Sequence, residues 1–176
     1  MDGGEKKMVF RQADIQNFSN SYAVRKSTVT AKAEGKPTAF LSHSHKDAYL
    51  AKGVQAFLHA QGWEVYIDWE DGAMPDTPNR TTAEQIQAKI RDLDMFFYLA
   101  TANSSASRWC PWEIGYADGK KPLESILILQ TQDNNGYSYG AEYLQLYNHL
   151  DYAASGGIGT FGSNNRGRVL RGTMRA

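Results

Sequence analysis

"DMFFYLATANSSASRWCPWEIGYA", residues 94–117, runs from an unbroken apolar stretch through a polar loop into a segment that crowds together two tryptophans, a cysteine, a proline and a glutamate. Residues 94–100, apolar without a break after Asp94, have the length and composition of a strand covered on both faces, as in a parallel sheet. "TAFLS" (38–42), "EVYID" (64–68) and "SILILQ" (125–130) are short apolar or β-rich runs of the same kind. Helical patterns separate them. Between the first two, Ser44 and Asp47 have capping-box spacing, Leu50, Val54, Phe57 and Leu58 recur at helical intervals, and Gly62 follows as a C-cap. Between the second and third, Thr81 and Glu84 repeat the capping-box spacing, and Ile86, Ile90 and Leu93 supply the apolar stripe. Strand and helix thus alternate, which with right-handed crossovers gives an α/β fold, a flavodoxin-like doubly wound parallel sheet of five strands. The fifth is expected within "EYLQLYNHLDY" (142–152), either directly or as a short helix and then a strand.

The whole chain has 176 residues, 41% of them hydrophobic, which suits one domain with a proper core. Nineteen basic and nineteen acidic residues cancel, so overall charge recruits neither nucleic acid nor an anionic membrane, and a ligand must be recognised locally. A single cysteine cannot form an internal disulfide, no stretch approaches the roughly 20 apolar residues of a membrane span, and no apolar leader opens the chain. The chain therefore reads as cytoplasmic. Residues 1–36 are polar and mixed and are expected to form an extension outside the core; 37–152 form the domain. Residues 153–176, with six glycines and four arginines, read as a flexible or loosely packed tail.

Ligands of open parallel sheets bind outside the carboxyl ends of the strands. "SHSH" (42–45), "DWEDGAMPDTPNR" (68–80) and "TANSSASRWCPWE" (101–113) leave three strands at that address. Pro111 is best tolerated in a first helical turn, so a helix should begin between Ser107 and Cys110, with Trp109 at its lip. Glu113 then falls where the helix dipole favours a carboxylate, and it is expected to stay ionised. A carboxylate beside an aromatic ring suits a reaction that develops positive charge next to a planar group, such as departure of a cationic base from a ribose. Each feature also has a plainer reading. The glutamate can serve only to offset the dipole and the tryptophan to fill the core, and Cys110 reads as a small buried apolar residue. His43 and His45 flank a strand end without the further ligands that a metal would need, so no metal is expected. Trp69 either covers a ligand or caps the core.

Together these segments resemble a bacterial TIR (Toll/interleukin-1 receptor) domain, and in particular the standalone NAD-cleaving TIR proteins of Thoeris-type antiphage defence. "AFLSHSHKD" resembles the first box of that family, "GWEVYIDWEDGAMP" its second strand and BB loop, and "SRWCPWEIGYA" holds its WxxxE pattern as Trp109 to Glu113. The resemblance implies that Glu113 is the catalytic glutamate, contacting the ribose attached to nicotinamide, and that Trp109 is an aromatic wall. Ser42, His43, Asp68 and Trp69 are the further substrate contacts it implies, with Phe40 and Ser107 beside them. The chain departs from the family in its own loop sequence "EDGAMPDTPNRTT" and in His43, where many relatives carry tyrosine.

The implied activity is that of an NAD+ nucleosidase or cyclase, with NAD+ as substrate and no other cofactor. Nicotinamide leaves as a neutral molecule from a cationic precursor, so one carboxylate suffices where an ordinary glycosidase uses two. Water as acceptor gives ADP-ribose; an atom of the same molecule gives a cyclic isomer. The implied partners are further copies of the chain, met through TIR contacts and the BB loop, and an effector protein that receives the nucleotide. The alternative is a non-catalytic TIR interaction module whose Trp69, Met74 and Pro75 form an exposed apolar contact. A receiver domain is set aside because "YLATAN" (98–103) offers no phosphoacceptor aspartate at the strand end.

Overall fold

A computed structural model describes residues 10–19, 28–71, 79–152, 158–162 and 167–170. The chain enters through β1 (Phe10–Arg11), α1 (Gln12–Ser19) and α2 (Thr28–Ala33), and then alternates: β2 (Thr38–Ser42), α3 (Ala48–Ala60), β3 (Glu64–Tyr66), α4 (Arg80–Asp92) and β4 (Met95–Ala100). After β4 come α5 (Ala102–Ser105), α6 (Trp109–Asp118), β5 (Ile126–Gln132), β6 (Ser138–Tyr139), β7 (Asn148–Tyr152), β8 (Ile158–Phe161) and β9 (Gly167–Leu170). Strands β3, β2, β4, β5 and β7 lie side by side in that order, all parallel. In order of appearance this is 2-1-3-4-5, the flavodoxin-like arrangement. The fifth parallel strand takes the second of its two expected forms, a 3₁₀ helix at Glu142–Leu146 and then β7.

Alternate residues of the buried strands feed two cores. Ala39, Leu41, Phe97, Leu99, Leu127 and Leu129 face Leu50, Val54, Phe57 and Leu58 of α3. Phe40, Phe96, Tyr98, Ile126 and Ile128 face Ile86 and Ile90 of α4 and Cys110, Ile114 and Ala117 of α6. Both faces are covered, which is why these strands read as unbroken apolar runs rather than as alternating ones.

Helix starts differ from the expected caps. Ser44 caps only a 3₁₀ turn at His45–Asp47, its hydroxyl accepting from the Lys46 N–H. Asp47 opens α3 without a side-chain cap because its carboxylate is engaged elsewhere. At α4 the capping box is Asn79 with Thr82, two residues before the expected pair, and Glu84 instead binds Arg80 at 2.9 Å. Gly62 does follow α3 with φ of 90°, a conformation that favours glycine.

The described parts of both chain ends pack against the sheet, against the expectation of an outlying extension and a loose tail. Phe10 and Ile15 are buried in the α3-side core, β1 runs parallel to the end of β5, and Gln12 donates to the Thr131 hydroxyl, which donates to the Ala100 carbonyl. At the other end, β8 and β9 add antiparallel strands beyond β7, and Ile158 joins the same core. A few apolar residues in polar surroundings suffice here because each end finds an unpaired strand edge to complete. No helix among the described residues is long and apolar enough to cross a membrane.

Helix α1 reaches α3 at Gly53, where an added Cβ would stand 2.2 Å from the Ile15 carbonyl oxygen. Because that neighbour is backbone, Gly53→Ala should force α1 away and cost about 1–3 kcal/mol, as overpacking does. Denaturant unfolding measures it; an unchanged midpoint would show that α1 does not rest on α3.

Candidate active site

Strand order reverses between β2 and β4, so the loops that leave them diverge and open a crevice. Helix α6 begins there, as expected from Pro111. The Ser107 hydroxyl, one residue ahead of the N-cap Arg108, accepts from the N–H groups of Trp109 (3.2 Å) and Cys110 (3.3 Å) and so satisfies the first two amides of the helix. Cys110, Glu113, Ile114 and Ala117 are spaced i, i+3, i+4 and i+7, so all four face the sheet. Glu113 is therefore a carboxyl in a core-facing position, 4% exposed, and the Ser42 hydroxyl at the end of β2 donates to its Oε2 at 2.5 Å.

Burial pushes the Glu113 carboxyl up to about 8; the Ser42 bond acts in the opposite sense, and the charge of Asp68 adds to the rise. This corrects the expectation of a carboxylate held ionised by the helix dipole, because removal from water outweighs the dipole at this depth. Burial also pushes the Cys110 thiol up to about 11, which leaves it protonated at neutral pH and unfit as a nucleophile.

Beside this pair lies a second group. His43 is buried, Trp69 donates its indole N–H to His43 Nε2 at 3.0 Å, and His43 Nδ1 lies 3.0 Å from the Leu41 carbonyl. Asp68 sets its carboxylate 3.9 Å from His43 and 3.6 Å from His45. Its Oδ1 is buried without a hydrogen bond. Trp69 is 42% exposed with Lys52 Nζ 5.7 Å from its ring, so it does not cap the core. Trp109 is half-buried and meets Trp112 edge-on, centroids 5.3 Å apart.

The structure thus brings Ser42, Glu113, His43, Asp68, Trp69 and Trp109 to one end of the sheet. Phe40 does not belong with them. It is 1% exposed and stacked on Phe96 at 5.7 Å, because it is two residues before the strand end and its side chain points into the core. Ser107 is engaged with the first two amides of α6. Met74 and Pro75 lie outside the described residues. Sequence reasoning missed Asp47, which accepts from the Thr101 hydroxyl and the Asn103 amide, both at 2.6 Å, and so ties the loop after β2 to the start of α5 at the exit of β4. Its capping-box spacing concealed that role. Among the described residues, no three His, Cys, Asp or Glu side chains are placed to hold a metal ion.

The family model of the TIR domain matches residues 39–155. The chain is similar to a protein of Bacillus cereus (strain MSX-D12) named "Probable 3' cyclic ADP-D-ribose synthase ThsB'", with 35% identity over 122 residues. The matched region is 68% of this chain and 61% of that relative's length.

A carboxyl raised to about 8 keeps in the folded state a proton that the unfolded chain releases at ordinary carboxylate pH. The folded state then binds more protons between those two values, so Glu113 costs more stability as pH rises through that window. Glu113→Gln should therefore melt above the wild type, and the gap should widen from about pH 5 to about pH 8 and then level off. A gap that does not change with pH would mean that the folded protein carries Glu113 ionised throughout.

Proposed function

The chain belongs to the TIR domain family, and from that premise we propose that it cleaves the nicotinamide–ribose bond of NAD+ and makes a cyclic, ADP-ribose-type signalling nucleotide in bacterial antiphage immunity. The observation that carries this reading is the buried Glu113 carboxyl, bound by Ser42 at the switch point of the sheet and placed on the same helix as Trp109. The name of the Bacillus cereus relative supports the cyclic product.

The chemistry follows from burial. In NAD+ the nicotinamide ring carries a positive charge, and its arrival favours the ionised form of Glu113. As the C–N bond breaks, its electron pair goes to the ring nitrogen, nicotinamide becomes neutral, and positive charge moves onto the ribose C1′ and ring oxygen. A carboxylate in a dry site stabilises that charge far better than one in water. The Ser42 bond fixes which oxygen faces the substrate, so little reorganisation is needed as the charge develops. An acceptor atom within the same dinucleotide then closes the ring; water in its place gives ADP-ribose.

The same reading makes NAD+ the substrate, with no further cofactor, and places the protein in the cytoplasm. The protein works through self-association by TIR contacts and the BB loop, and through an effector that binds the product. The exposed Trp69 also suits a second reading, an interaction module that docks onto other TIR domains.

NAD+ consumption with chromatographic separation of products tests the proposal. The wild type should consume NAD+ and release nicotinamide with a cyclic nucleotide, and Glu113→Ala should lose at least about 100-fold in rate, the usual effect of removing a charge-stabilising group. Values of kcat/KM should rise with pH and level near 8, where the free carboxyl ionises. Wild type and Glu113→Ala that both leave NAD+ intact, even under conditions that drive assembly, would overturn the enzymatic reading in favour of the interaction module.

A further inference from the structure

His43 stands among the expected substrate contacts, yet its ring has no nitrogen left for a substrate. An indole N–H can only donate, so His43 Nε2, which receives the Trp69 bond at 3.0 Å, is unprotonated. The proton then sits on Nδ1, which donates to the Leu41 carbonyl at 3.0 Å. Both nitrogens are occupied by the protein itself, and only 1% of the side chain is exposed. Trp69 is the opposite case: anchored at its nitrogen and 42% exposed, with Lys52 Nζ 5.7 Å over its ring, on the short turn Asp68–Glu70 that leaves β3 beside the crevice.

We infer that His43 is a positioning residue, which holds the Trp69 indole at the mouth of the crevice so that a planar base of the dinucleotide can stack on it, and which does not itself touch substrate. The inference rests on the NAD+ reading for its ligand and on the two hydrogen bonds for its geometry. A ring free to turn about two side-chain torsions would have to be ordered on each binding event, whereas a ring already pinned at its nitrogen loses less on meeting the base. Asp68 adjoins Trp69 in sequence and its charge reaches Glu113, so the pinned turn also fixes a carboxylate of the site.

Nitrogen-resolved NMR of the protein alone tests the geometry without any variant: His43 should show the Nδ1–H neutral tautomer. A ring protonated on Nε2 in the neutral protein would overturn the inference. The Trp69 indole N–H, identified by its disappearance in Trp69→Phe, should shift and exchange faster in His43→Phe and return in His43→Gln, whose side-chain oxygen reaches the place of Nε2. In NAD+ turnover, His43→Phe should raise KM about tenfold, the loss expected of one hydrogen bond, with kcat within about threefold and with rescue by His43→Gln. The double variant should be no worse than Trp69→Phe alone, because His43 then has nothing left to hold. KM penalties that multiply in the double variant, or an indole unmoved in His43→Phe, would show that His43 acts on substrate directly and overturn the inference. A wild type that does not turn over NAD+ would remove the proposed function, while the tautomer and indole measurements would still decide the positioning role.

Discussion

A carboxyl group taken out of water at the point where strand order reverses is the constraint around which this molecule is arranged. Glu113 occupies a position in α6 that its helical neighbours Cys110, Ile114 and Ala117 fill with apolar or small side chains. An ionised carboxylate there would lose its hydration, and the single Ser42 hydroxyl replaces only part of it. The group therefore rests largely protonated at neutral pH. Keeping a carboxyl at this depth costs the fold stability that an apolar side chain in its place would supply.

The loops around that carboxyl are held by polar clamps rather than by core packing. Asp47 joins the exits of β2 and β4 through Thr101 and Asn103, and His43 joins the exits of β2 and β3 through Trp69. Each clamp crosses between neighbouring strands at the carboxyl end, where the sheet has no further hydrogen bonds to offer. The two cores on either face pack the sheet below; the clamps tie its exits together.

The parallel sheet was legible because burial on both faces leaves its mark in every residue of a strand, as in Phe96 to Ala100. The start of α6 was legible because proline tolerates so few helical positions. The caps were less so: Ser44, Asp47, Thr81 and Glu84 have the right spacing, but spacing does not say whether a side chain has a better partner elsewhere, and Asp47 has two. WxxxE and the strand exits located the candidate site, while its electrostatics escaped because the helix dipole is visible in a sequence and depth of burial is not. Phe40 was misplaced for a related reason. Proximity to a strand end in sequence does not say on which side of the end a ring lies. The ends of the chain escaped because their composition is polar or glycine-rich on average, whereas Phe10, Ile15 and Ile158 act singly.

Those ends carry a consequence for what counts as a unit of this protein. The stretch shared with the family, residues 39–155, omits the strand that borders β5, the helix seated on Gly53, and both strands that continue beyond β7. Gln12 reaches through Thr131 to the carbonyl just before the loop that leads to α6. The segment that the family model matches and the segment that packs together are thus different lengths. A fragment trimmed to the family boundaries would keep Ser42, His43, Asp68, Trp69 and Glu113, yet it would uncover Phe57 and the edges of β5 and β7 to water and to other chains.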